Sequence, residues 1–474
     1  MPPFAFNNHP RPQSLRALSQ VRYTPYWLDD PARPDPAPSL TETTDTDLLI
    51  VGGGFTGLWA ALLTKEENPA RDVVLLEARR IADGASGRNG GFVAASLTHG
   101  FANGFQRWPR EMPQLVALGH ANLQGIEAAI QHYQIDCDYI RAGELNVATA
   151  PYQVQDLRAE TEAANACGED FQFLDQSQIQ ALVHSPTYLG ARLDPWVGMV
   201  NPARLAWGLR RACLERGVRL FENTPVTKLE PQGARIHART PYGQVRAGRV
   251  ALATNAYPPL LKRLSYYIVP VYDYVLMTEP LSPAQREAIG WHGRQGIGDS
   301  GNQFHYYQIT ADGRILWGGY DAIYYPGNGV GPQYDQHPES FARLAEHFFQ
   351  TFPQLEGLRF THAWGGAIDT CSRFSVFWGT AHQGRTAYAL GYTGLGVGAS
   401  RFGAQVMLDL LDGRTTERTA LSMVRGKPVP FPPEPARSWV VNFTRWSLDQ
   451  ADQNNGRRNL WLRALDALGL GFDS

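Results

Sequence analysis

Charge of one sign, paired cysteines and long apolar runs are all scarce in this chain. The four cysteines, Cys137, Cys167, Cys213 and Cys371, form no CxxC pair and sit in no His/Cys ligand spacing. A disulfide framework, a zinc site or any other metal centre is therefore not expected. The formal net charge is -2 in 474 residues, so no one-sided field favours nucleic acid or an anionic membrane. The most apolar stretch, 48–63, contains Gly52, Gly53, Gly54 and Gly57 and is followed by Lys65, Glu66 and Glu67. It is too short and too rich in glycine to span a bilayer. No basic patch followed by a long apolar run opens the chain, so a secretory signal is not expected and the expected compartment is the cytoplasm. GxSxG, HExxH and Walker-type phosphate loops are also missing, which leaves hydrolase and NTPase readings without support. No internal repeat or low-complexity array interrupts the pattern.

What is present is an ordinary globular composition, 43% hydrophobic and 19% charged. The length exceeds what one hydrophobic core usually serves, so two domains are expected. Residues 1–45, with nine prolines, read as an extended lead-in on the surface. Residues 46–91 read as strand, glycine turn, helix, strand and loop. The first strand is Asp47 to Val51, the helix runs from Gly54 through Leu58 and Leu62, and the second strand is Val73 to Leu76. Helical periodicity returns at 115–133, 153–166 and 205–216, with strands at 218–222 and 250–253. Alternating aromatic runs, Tyr266 to Val269, Phe304 to Tyr307 and Ile315 to Trp317, suit an antiparallel sheet with one ligand-facing side. Strand, glycine turn and helix recur at 385–412. The fold class is thus α/β (α+β overall), a Rossmann-like nucleotide-binding domain interrupted by an inserted antiparallel-sheet substrate domain. The nucleotide-binding pieces are 46–100, 201–257 and 361–425. The substrate pieces are 101–200 and 258–360. A Pro-rich linker and helical tail occupy 426–474.

Chemistry enters at Val51-Gly-Gly-Gly-Phe-Thr-Gly57, a GxGxxG carried by Gly52, Gly54 and Gly57. Gly52 permits the tight turn, Gly54 lets backbone approach a pyrophosphate, and Gly57 lets the helix lie close on the sheet. The helix N-terminus offers unpaired N–H groups and partial positive charge to phosphates. Glu77 closes the second strand, at the spacing where a carboxylate accepts ribose hydroxyls. Glu77 disfavours a 2′-phosphate but does not separate FAD from NAD. A small-residue loop follows, 81–91, in which Ser86, Arg88 and Asn89 add polar donors along a longer ligand.

Gly52 to Gly57, Glu77 and Gly84-Ala-Ser-Gly-Arg-Asn-Gly-Gly91 together resemble the D-amino-acid oxidase/glycine oxidase/sarcosine oxidase (DAO) superfamily of flavoenzymes. The branch most similar is that of γ-glutamylputrescine oxidase-like FAD-dependent oxidoreductases. Tyr26-Trp27, Ala253-Thr-Asn-Ala-Tyr257, Trp364-Gly-Gly366, Gly391-Tyr-Thr-Gly-Leu-Gly396 and the closing Gly469-Leu-Gly-Phe-Asp-Ser474 follow in the order of that branch. The resemblance implies an FAD cofactor. Gly52, Gly54, Phe55, Thr56 and Gly57 would hold its pyrophosphate. Glu77 would bind the ribose, with Ala78 and Arg79 beside the adenine, Val226 meeting it through backbone, and Thr254 and Asn255 closing that end. Ser86, Arg88, Asn89, Gly90 and Gly91 would run along the flavin, and Gly391, Tyr392, Thr393, Gly394, Leu395 and Gly396 would sit at its pyrimidine edge. Relatives commonly carry Ser and His where this chain has Thr393 and Leu395, and Tyr-Tyr-Arg where it has Tyr306-Tyr307-Gln308. Some sarcosine oxidases attach flavin to a cysteine that would fall near Gly365. Cys371 lies six residues beyond, so non-covalent FAD is expected.

The implied activity is oxidation of a small amine or amino acid, with molecular oxygen as acceptor. A dehydrogenase serving a partner or quinone, a nicotinamide dehydrogenase and a non-catalytic nucleotide-binding module are the alternatives. Such chemistry asks the protein mainly to orient a C–H bond, favour the neutral amine and exclude water. His305, Tyr307 and Trp364 are the candidate catalytic residues, and Tyr257, Tyr306 and Gln308 the candidate substrate contacts. In a strand His305 and Tyr307 share one face and Tyr306 takes the other, so only one set can meet the ligand. Oligomeric state is not legible.

Overall fold

The computed structural model describes residues 6–470. Residues 1–5 of the lead-in, and Gly471, Phe472, Asp473 and Ser474 of the closing block, lie outside them. Two sheets organise the chain. The first runs in the order Phe377–Ala381, Thr386–Leu390, Gln244–Leu252, Thr43–Val51, Val73–Leu76, Arg219–Phe221. All of its central pairs are parallel. Leu48, Leu49, Ile50 and Leu75 are fully buried because both faces are covered. On one face Leu58 and Leu62 of helix Phe55–Glu67 meet Phe402 and Met407 of helix Gly396–Leu411 and Leu205 and Leu209 of helix Pro202–Glu215. On the other, Leu49, Val51 and Val74 meet Ile236 and Ala238 of a hairpin.

The second sheet runs Ile323–Tyr324, Val269–Thr278, Ile315–Gly319, His305–Ile309, Gly296–Asp299, Glu144–Ala148, Gly190–Asp194, Gln172–Asp175, with Phe360–Thr370 also paired to Val269–Thr278. It is antiparallel except where Gly296–Asp299 runs parallel to Glu144–Ala148. One face lies on helix Pro338–Thr351, whose Phe341, Leu344 and Phe348 pack with Tyr307, Trp317 and Leu145. The opposite face looks toward the first sheet across a shared cavity.

Four stretches differ from the sequence reading. The lead-in is not merely extended. It forms a short helix, Pro12–Ala17, and a 3-10 turn, Tyr26–Leu28, and buries Ser14, Trp27 and Leu40. The Ser14 hydroxyl donates to Glu346 over 2.7 Å, which pins the segment to the second sheet's helix. Helix Met112–His132, expected with the substrate domain, packs into the first core through Leu115, Leu123 and Ile126. Residues 361–370, expected with the nucleotide-binding pieces, form a strand of the second sheet. Tyr266 ends a 3-10 turn, Lys262–Tyr266, and the strand begins only at Val269. Among the described residues, no helix is long and apolar enough to cross a membrane.

Candidate active site

The glycine turn is a steric fit before it is a binding site. A Cβ on Gly57 would overlap the Gly52 carbonyl oxygen, so any side chain there pushes the helix off the strand. Gly52 has φ +111°, a conformation L side chains rarely adopt. A Cβ on Gly54 would stand 2.9 Å from the Ser86 hydroxyl, and that hydroxyl already accepts the Phe55 N–H over 2.9 Å. The two glycine-rich segments therefore hold each other.

Glu77 accepts the Gly53 N–H over 2.6 Å with one carboxylate oxygen and the Arg79 N–H over 2.9 Å with the other. Burial raises its pKa and the two amides oppose that rise. The carboxylate thus braces the turn as well as facing the cleft.

The loop expected along the flavin is fixed by side chains from distant elements. Arg88 pairs with Asp335 at 2.7 Å and donates to the Gly365 carbonyl at 3.0 Å. Trp27 donates its indole N–H to the Asn89 carbonyl and Trp364 to the Arg88 carbonyl, each over 2.9 Å. The Gln308 amide donates to the Gly90 carbonyl. At the last glycine block Asp369 accepts the Gly391 N–H over 2.6 Å, and helix Gly396–Leu411 starts immediately after.

These segments line one continuous cavity of about 870 Å³. Its cleft end holds Gly52, Gly54, Glu77, Arg79, Val226 and Thr254. Its chamber end is walled by the second sheet through Val269, Val271, Asp273, Val275, Tyr306 and Ile368. Strand alternation explains that wall, since Tyr272, Tyr274 and Leu276 fill the core behind it. A third wall comes from the C-terminal tail, where Val440, Val441, Thr444 and Leu448 of helix Ala436–Gln453 face inward. The Tyr306 hydroxyl donates to Asp273, whose carboxyl is pushed up to about 7 by burial. Burial also pushes Asp369 up to about 7, against four backbone hydrogen bonds that favour its charged form. His99, in the left-handed region at φ 62° and beside the Thr393 backbone, is pushed down to about 4 by burial.

Nearly all of the residues expected to hold the cofactor line this cavity. Gly57, Gly91 and Gly391 do not: a Cβ there would meet the Gly52 carbonyl, the Val200 carbonyl, and the Cys371 and Phe377 side chains respectively. Of the expected substrate contacts, Tyr257 and Tyr306 line the cavity, while Gln308 lies behind the loop it holds. The three candidate catalytic side chains are placed elsewhere. His305 is fully buried between Asp299, at 2.7 Å, and His347, at 2.9 Å. Tyr307 shares a 2.6 Å hydroxyl pair with Tyr188 in the same core. Trp364 fastens the loop from behind. These placements correct the sequence reading: the face that carries His305 and Tyr307 is the one packed on helix Pro338–Thr351. Sequence reading missed Glu144, Asp273, Asp369, His99 and the tail. Asp273, a lone acid in a run of Val, Tyr and Leu, was the one visible signal.

A glycine cleft at a helix N-terminus that opens into an apolar chamber defines a two-domain, dinucleotide-dependent oxidoreductase. FAD fits these residues: the cleft leaves backbone bare where a Cβ would collide, and the chamber is wide and dry enough for a flavin and a small ligand. Residues 47–410 match the DAO family, described as FAD dependent oxidoreductase, and the chain belongs to that family. The gamma-glutamylputrescine oxidoreductase of Escherichia coli is 32% identical over 83% of this chain and 90% of its own. A sarcosine oxidase subunit beta from Arthrobacter sp. is 25% identical over 72% of this chain and 78% of its own. Glycine oxidase from Geobacillus kaustophilus shares the fold at a TM-score of 0.65, with 20% identity over 81% of this chain and 99% of its own.

Proposed function

We propose that the protein oxidises the C–N bond of a small amine or amino acid, with molecular oxygen as final acceptor and hydrogen peroxide as by-product. The observation that carries this reading is the join between the glycine cleft and a chamber walled by valines and Tyr306. The names of the E. coli and Arthrobacter relatives point to the same substrate class.

Gly52, Gly54, Phe55 and Thr56 hold the pyrophosphate of FAD against the N-terminus of helix Phe55–Glu67. Glu77, Ala78, Arg79, Val226, Thr254 and Asn255 surround the adenosine. Ser86, Arg88, Asn89 and Gly90, with Tyr392 to Gly396, would flank the flavin. Bound FAD supplies a two-electron acceptor for hydride. Val269, Val271, Val275 and Ile368 exclude water and favour the neutral amine, the form able to lose hydride. Tyr306, its hydroxyl turned to Asp273, offers its ring to the substrate carbon chain. The product imine hydrolyses in water to a carbonyl compound and an amine or ammonia. None of the four cysteines lines the cavity, and the Cys371 thiol donates to the Ser375 carbonyl at 3.1 Å, so no thiol is placed to bond the flavin. The cytoplasm is the proposed place of work.

The test is an aerobic screen of amines and amino acids with peroxide detection. Peroxide in step with amine consumed supports oxygen as acceptor. Flavin reduction without peroxide assigns the electrons to another acceptor.

A further inference from the structure

The Tyr306 hydroxyl donates to Asp273 Oδ2, and both residues line the cavity. Asp273 Oδ1 is already taken by two backbone amides, that of Tyr274 at 2.6 Å and that of Gly319 at 3.1 Å. The carboxylate is thus pinned, with its second oxygen given to one phenol.

Two glycines let the ring lie where it does. A Cβ on Gly90 would stand 2.7 Å from the Tyr306 ring, and one on Gly318, its cross-strand partner, 2.8 Å from the hydroxyl. The ring therefore touches the loop expected beside the flavin at one edge and reaches Asp273, two strands away, with its hydroxyl. A substrate held against that loop has the Tyr306 oxygen one ring's length away.

An alkylamine titrates near about 10 and so arrives as ammonium. It must shed a proton before it can lose hydride, and Val269, Val271, Val275 and Ile368 offer no acceptor. Two opposite charges are costly in such a chamber, and moving one proton from ammonium to carboxylate removes both. Burial, which lifts the Asp273 carboxyl to about 7, favours the same shift.

Most other groups at the chamber end are engaged. Arg88 pairs with Asp335 at 2.7 Å, Asp321 with Arg343 at 2.5 Å, and Asp369 accepts the Gly391 amide over 2.6 Å. The phenols of Tyr257 and Tyr320 are met by Arg79 and Asn8. Arg445, from the tail helix, is itself a cation. His99, pushed down to about 4, is too weak a base to keep the proton. Among the described residues that leaves Glu144 as the competing acceptor, across Gly298, the other cross-strand partner of Tyr306.

We infer that Tyr306 and Asp273 together take the proton of the incoming substrate ammonium. This rests on the amine-oxidation reading above. One substrate N–H bond breaks as its proton bonds to the Tyr306 oxygen, while the proton already on that oxygen passes to Asp273 Oδ2. The tyrosine ends neutral as it began, the carboxylate becomes a carboxylic acid, and the amine gains the lone pair it needs to lose hydride.

The experiment is anaerobic bleaching of the flavin-loaded enzyme across pH, with butylamine, N-methylbutylamine, glycine and any amine that reacts in the aerobic screen as probes. The quantity read is the limiting bleaching rate divided by the half-saturating concentration. In the wild type it should level off above about pH 7, where carboxylate and ammonium are both in the form the transfer requires. In Tyr306→Phe and in Asp273→Asn only the rare neutral amine reacts, so it should climb about tenfold per pH unit toward the amine's own titration. A second readout needs no turnover. tert-Butylamine has no C–H beside its nitrogen and cannot be oxidised. Calorimetry of its binding in two buffers at about pH 8.5 should show almost no proton released by the wild type and about one per amine by Asp273→Asn. A wild-type ratio that keeps climbing, or equal proton release by the two proteins, overturns the inference. So does a profile that turns steep in Glu144→Gln but not in Asp273→Asn, which gives the proton to Glu144. If the variants do not fold, the wild-type profile still decides. Bleaching by no amine at all overturns the amine-oxidation reading and this inference with it.

Discussion

The Thr56 hydroxyl donates to the Tyr392 hydroxyl over 2.9 Å in a fully buried contact. This one bond ties the first glycine turn to the last, 336 residues later, and so fixes the two glycine blocks of the cavity relative to each other. Tyr392→Phe should cost about 1 kcal/mol of stability and weaken FAD retention several-fold. Thermal unfolding and flavin release on dilution measure the two effects.

Gly57→Ala should be far more damaging. Its Cβ would meet backbone, the Gly52 carbonyl, rather than a movable side chain. The expected protein binds no FAD or fails to fold, read from its flavin-to-protein absorbance ratio. Gly394 is the contrast, since a Cβ there meets nothing within 4 Å but φ is +96°. Gly394→Ala should fold and lose about 1 kcal/mol to backbone strain alone, read from its melting temperature.

Asp273 gives the fold a definite pH dependence. Burial lifts its carboxyl from the ordinary 3.8 to about 7 in the native chamber. Between those values the native state holds a proton that the unfolded chain has released, so stability falls as pH rises through that window. Glu144 and Asp369 act in the same direction. Asp273→Asn removes one of the three, and its melting temperature should decline less steeply than wild type between about pH 5 and about pH 8. Parallel slopes would count against the burial of this carboxyl.

The tail closes the chamber. Asp452 accepts the Asn302 and Gln303 amides over 3.0 and 2.9 Å, which docks helix Ala436–Gln453 against the second sheet. A chain ending at Pro435 should keep FAD, because no cleft residue comes from the tail, yet half-saturate with amine at a concentration about tenfold higher. Loss of flavin in that variant would contradict the division of roles.

The cleft was legible in the sequence because its demands are local. Gly52, Gly54 and Gly57 answer steric needs within one turn, and Glu77 follows at a fixed strand length. The chamber was not. Period-two alternation shows that His305 and Tyr307 share a face, but not that this face meets helix Pro338–Thr351 while Tyr306 faces the cavity. The stripe of Leu115, Leu123 and Ile126 fits any apolar surface, so its packing on helix Gly396–Leu411 had no sequence signature. Glu144 and Asp369 become unusual only when tertiary burial strips their water. Trp364 resembled a pocket residue because its partner, the Arg88 carbonyl, lies 276 residues away.

The most direct test of the central claim is the absorbance spectrum of the protein as purified, before and after adding amines without oxygen. The expected result is a bound flavin spectrum that bleaches with at least one small amine, and a yellow supernatant after acid precipitation. A folded protein with no flavin spectrum after incubation with FAD would contradict it, as would a bound flavin that no amine reduces.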